Sequence, residues 1–186
     1  MDATGLESRH ISRHFLHRQG RLKQYRLWTK LTFLCDNASH LIAALGVRRG
    51  PSNDSPDLIP VVRQARERLA IDTLLGDGAY DAEGNHRVCH QELGIRRTVI
   101  PVNDRGFSEQ VPGGRYRRQM SRKFPRRVFG QRWQVECVGS RIKRRLTSEL
   151  SAHSEAGRYQ DCHLLILTFN LMLLLCPLRI GFYRAL

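Results

Sequence analysis

The chain has 186 residues and a formal net charge of +14, with a sequence pI of about 10.6. Hydrophobic residues make up 41%, which excludes global disorder and allows one domain with a real core. The positive excess favours a polyanionic partner, nucleic acid first, although a generally basic, ribosomal-type protein has the same balance.

In chain order, residues 1–6 read as the tail of a strand, and 7–24 as polar loop or a short helix rich in His and Arg. Two apolar runs, 26–35 and 40–48, flank the turn-like tetrad DNAS and predict an antiparallel hairpin. Residues 57–69 have helical spacing, with Ser55 as the expected cap and Pro56 at the first position. Residues 72–81 (DTLLGDGAYD) read as a short buried strand ending in Gly-Asp-Gly. A helix over about 83–93 follows, with Asp81 as the expected N-cap and Gly94 just beyond its end. Residues 96–102 read as a further strand, and 103–125 as a long loop rich in Gly, Pro and Arg. Helices are expected over about 127–146 and 155–175. There is no internal repeat and no interdomain linker, so residues 1–186 form one domain of mixed α/β layers with helices flanking the sheet.

Five cysteines, at 35, 89, 137, 162 and 176, form no C-x-x-C pair, which reads as free thiols in a reducing compartment. No signal peptide opens the chain. The apolar run Leu164 to Cys176 is thirteen residues, too short to span a bilayer. These features predict a cytoplasmic protein with no membrane partner.

Three carboxylates in three separate settings carry the chemical signal: Asp2, Asp77 and Glu136. Between Gln110 and Ser148, Glu136 is the only acidic residue, set among twelve Lys and Arg. A carboxylate kept in so basic a stretch suggests a magnesium ligand beside a phosphate backbone. Two divalent ions about 3.5–4 Å apart clamp the attacking and leaving oxygens of an in-line displacement. Metal also removes the mutual repulsion of converging carboxylates. Phe129, Arg132 and Lys143 lie at −7, −4 and +7 from Glu136, on one helical stripe. A solvated basic helix with one stray Glu is the competing reading.

With these residues in place, the chain resembles the DDE transposases of bacterial insertion sequences, which have an RNase H-like catalytic core. One large group carries the signature Y-x2-R-x3-E-x6-K, and residues 129–143 (FGQRWQVECVGSRIK) place Arg132, Glu136 and Lys143 at that spacing, with Phe129 in place of the tyrosine. GDGAYD at 76–81 resembles the second motif, and DATG at 2–5 the first. The resemblance implies that Asp2, Asp77 and Glu136 hold two Mg²⁺ or Mn²⁺ ions, and that Arg132 and Lys143 grip the DNA end. It implies nicking at the element's ends, strand transfer to target DNA, an active homodimer, and action on the bacterial nucleoid. Family members usually carry an upstream DNA-binding region and more of the first strand. The resemblance therefore implies an N-terminally truncated copy in which Asp2 sits on a fraying end.

The basic loop 113–127 holds seven Lys and Arg and no acid, and its charge adjoins the carboxylates. Phosphate contact by Arg117, Arg118, Lys123, Arg126 and Arg127 is the preferred reading. His10, His14 and His17 have metal-face spacing but no acidic or Cys partner in range, so a solvated loop is preferred. Turn and capping roles suffice for Asp54, Asp57, Asp72 and Asp81. Trp28 and Trp133 are expected in the core or at its rim, with base stacking as the alternative. Two other readings stay open: a non-catalytic basic remnant that coats DNA, and a stand-alone RNase H-like nuclease.

Overall fold

The computed structural model describes residues 1–8, 28–103 and 112–175. The expectations for His10, His14 and His17, and for Cys176, lie outside the described residues.

The predicted hairpin forms from β2 (Trp28–Cys35) and β3 (Ile42–Arg49), which pair antiparallel. β1 (Asp2–Ser8) adds antiparallel to β2, with Asp2 opposite Phe33. A two-residue strand, β6 (Glu149–Leu150), adds parallel to β1, giving the order β3-β2-β1-β6. β4 (Thr73–Leu75) and β5 (Arg97–Val99) pair parallel as a second, two-stranded sheet.

Strand alternation divides the core into two layers. From β2, Leu31, Phe33 and Cys35 pack with Val135, Val138 and Ile142 of α5 (Trp133–Arg145) and Cys162, Leu165 and Phe169 of α6 (Glu155–Leu175). On the opposite side, Leu34 and Ala44 pack with Leu58, Val61 and Val62 of α1 (Leu58–Arg66) and Cys89 of α2 (Glu83–Gln91). Gly139 lets α5 approach closely, because a Cβ there would stand 3.3 Å from the Phe33 ring. The result is a mixed α/β fold with helices on both faces of the sheet. Among the described residues no helix is long and apolar enough to cross a membrane.

Several local expectations need correction. The basic loop is not a loop throughout: Arg115–Arg122 forms a helix, α3, and Arg126–Phe129 a single turn, α4. Ser55 is not a helix cap; it opens a 3-10 turn that follows Asp54, and its hydroxyl accepts a 3.0 Å bond from Asn85. Ala82, not Asp81, is the N-cap of α2. Asp54 and Asp57 do more than shape a turn, since they neutralise the buried Lys30 ammonium at 2.5 and 2.8 Å. A buried cation requires such partners. Asp72 pairs with Arg96 at 2.7 Å on the surface. The start of β1 is anchored rather than frayed: Met1 is buried and its ammonium donates a 2.8 Å bond to the Leu75 carbonyl.

Candidate active site

The Met1 nitrogen and the Leu75 carbonyl place the start of β1 beside the end of β4, so Asp2 lies next to the strand that leads into Asp77 two residues later. The Asp77 side chain is exposed, and its Oδ1 accepts the Gly78 N–H at 2.5 Å, capping a short 3-10 turn.

Glu136 arrives from the opposite layer, in the first turn of α5. One helical turn earlier, Arg132 donates through Nη2 to Glu136 Oε1. Its Nη1 lies 3.8 Å from Asp2 Oδ1 and is buried with no hydrogen-bond partner. Asp2 and Glu136, remote in sequence, thus share one guanidinium, which rests 5.7 Å from the Phe129 ring centre. Phe129 therefore supports Arg132 from the position where the signature has a tyrosine.

Burial pushes the Asp2 carboxyl above its ordinary value, against the opposing pull of the Ala3 N–H and Arg132; Glu136 adds to the rise. Loss of water disfavours the ionised form, and a second carboxylate nearby does the same. A cation at this point relieves both.

Among the described residues, no three His, Cys, Asp or Glu side chains stand grouped to hold a metal. The two carboxylates that meet do so on a guanidinium, and Asp77 is turned to its own backbone. The donor chemistry nevertheless fits a hard divalent ion: carboxylate oxygens from two elements converge on a cationic position, and a third, exposed carboxylate ends the adjoining strand.

The model of the family described as Transposase DDE domain matches residues 1–173. The chain belongs to this family. No curated protein and no solved structure matches it. Membership accounts for the mixed sheet with flanking helices, implies DNA as substrate, and makes divalent metals the general cofactor class.

The basic residues of this transposase domain separate into two groups. Arg118, Lys123, Arg126 and Arg127 are exposed, and Lys143 is half-buried on α5. Arg117 instead turns inward: its Nε and Nη2 bond the Asp81 carboxylate at 2.7–3.0 Å, and that carboxylate is sealed from solvent. Arg115 and Arg122, which the motif reading passed over, line one open groove with Arg118, Gln119 and Lys123. Their i, i+3, i+7 spacing is helical and was the available signal. Trp133 is 57% exposed one turn before Glu136, on the surface rather than in the core. Trp28 is half-buried and lies against Gly5 and Gly50, where a Cβ would meet its ring at 2.7 and 2.6 Å.

Proposed function

We propose that this domain nicks DNA at the ends of an insertion sequence and joins the freed 3′-hydroxyl to target DNA. The observation that carries the reading is the convergence of Asp2, from the sheet, and Glu136, from a helix of the opposite layer, on Arg132. Asp77, at the end of the adjoining strand, completes the set. These three carboxylates would hold two Mg²⁺ or Mn²⁺ ions, which supply Lewis acidity and charge neutralisation for in-line displacement at phosphorus.

The chain's own residues do the rest. In the first step water attacks the phosphodiester and the 3′ oxygen leaves as a hydroxyl. In the second that hydroxyl attacks a target phosphodiester, its oxygen bonds to phosphorus, and the target strand's own 3′ oxygen leaves as a hydroxyl. Neither step needs a covalent intermediate with the protein. Arg118, Lys123, Arg126, Arg127 and Lys143 hold phosphates and fix the register of the duplex. Arg132 orients Glu136 and lends positive charge to the phosphate that enters. Trp133, exposed one turn before Glu136, offers a ring on which an unpaired end base stacks. Two DNA ends and one target call for two copies, so the active species is a homodimer, working in the bacterial cytoplasm on the nucleoid.

The test is nicking of an insertion-sequence end duplex in Mg²⁺. Glu136→Gln is expected to abolish cleavage while DNA binding holds or tightens, since one negative charge facing DNA is gone. Unchanged cleavage would refute the assignment. Salt-sensitive binding by the native chain, without any metal-dependent cleavage, would identify a non-catalytic DNA-coating protein instead.

A further inference from the structure

Helix α3 (Arg115–Arg122) poses a physical problem. It has eight residues, buries only Met120, and carries like charges one turn apart. Such a helix has little stability of its own, because nucleation is costly and its cations repel. Its N-cap, Gly114, offers no side-chain hydrogen bond. Two acidic residues at the start of α2, Asp81 just before it and Glu83 in its first turn, hold it in place. The Glu83 carboxylate accepts the Tyr116 N–H at 3.2 Å and the Arg117 N–H at 3.0 Å, capping α3 from a different element. These bonds keep its carboxyl below its ordinary value despite burial. Asp81, fully enclosed, takes the Arg117 guanidinium and the Asn103 N–H, with His86 Nε2 3.9 Å away.

Gly114 is a further mark of this arrangement. Its φ is +90°, and a Cβ there would collide with the Glu83 carboxylate. Only glycine lets that carboxylate reach the N–H groups of α3. Docked in this way, α3 turns Arg115, Arg118, Arg122 and Lys123 outward along one groove.

We infer that Asp81 and Glu83 are positioning residues for DNA: two acids that strengthen binding to a polyanion by holding a row of cations along one open groove. They follow Asp77 by four and six residues, so the same short segment would fix both a metal-binding carboxylate and the phosphate-gripping helix. The inference rests on the reading that α3 contacts the DNA backbone.

The sign of the effect makes it testable. Simple electrostatics predicts that neutralising an acid in a +14 protein tightens DNA binding. A positioning role predicts the reverse. The experiment measures binding of the full chain to a short mixed-sequence duplex across a salt series, without divalent ions. A lost phosphate contact lowers the slope of log affinity against log salt by about 0.9. Asp81→Asn and Glu83→Ala, each verified as folded by circular dichroism, are expected to weaken binding. Each should lower the slope by more than a single contact does, because several cations lose register together. If Asp81→Asn does not fold, the half-buried Glu83→Ala carries the test. Equal or tighter binding in a folded Glu83→Ala variant overturns the inference. A double variant, Arg118→Ala with Arg122→Ala, separates the two claims. If it binds as the native chain does, α3 is not a DNA contact and the underlying reading fails; if it weakens binding while Glu83→Ala does not, only the positioning role fails.

Discussion

Asp81 and Asp2 each face an arginine, in contrasting surroundings. At Asp81 the carboxylate has no exposure and takes three bonds from Arg117 Nε and Nη2, with the Asn103 N–H as a fourth. At Asp2 the side chain keeps 24% of its exposure, and the nearest Arg132 nitrogen stands at 3.8 Å, too far for a hydrogen bond. The first pair is saturated. The second leaves Arg132 Nη1 without a partner and raises the Asp2 carboxyl by burial. Saturation is what a clamp requires. An acid with unfilled coordination is suited to receiving a ligand. The same two residue types thus form a closed pair at one point and an open pair at the other, and burial with hydrogen bonding makes the difference.

Replacing each arginine with Met breaks this comparison most forcefully. Arg117→Met leaves the buried Asp81 carboxylate without its guanidinium, and is expected to cost about 3 kcal/mol or more in urea unfolding. Arg132→Met removes a pair whose Glu136 side is 53% exposed, so about 1 kcal/mol or less is expected. Equal losses would erase the distinction between clamp and receptive site.

A subtler change sharpens it. The folded state raises the Asp2 pKa, so the protonated acid is favoured on folding. That contribution is fully present below the unfolded value, near pH 4, and is lost as pH rises through the folded value. At neutral pH Asp2 therefore carries a desolvation cost. Asp2→Asn is expected to raise the melting temperature in chelator-treated buffer at pH 7. A lower melting temperature would mean that Arg132 already satisfies the carboxylate.

Periodicity made much of the fold legible. The helix expected over about 155–175 matches Glu155–Leu175, and the paired apolar runs form the hairpin. β6 escaped notice because two residues, Glu149 and Leu150, show no period, and their partner strand lies at the other end of the chain. α3 was hidden for a different reason. Gly113, Gly114 and Pro125 suggest a loop, while the group that caps α3, Glu83, lies more than thirty residues upstream. Asp81 resembled a local cap because its long-range partner, Arg117, could not be inferred from spacing. The motif residues were readable as a pattern, and Arg132 with Glu136 meets that pattern in space. The arrangement of Asp77 relative to them was not readable, since it follows from how β4 docks against Met1.

The central claim is that Asp2, Asp77 and Glu136 form one cation-binding unit. Calorimetric titration of the full chain with Mn²⁺ tests it most directly, comparing Asp2→Asn, Asp77→Asn and Glu136→Gln with the surface control Asp72→Asn. Each of the three is expected to weaken Mn²⁺ binding about tenfold or more, at least the loss that disturbing a ligand's support produces, while the control binds as the native chain does. Native affinity retained by any one of the three would contradict the shared site.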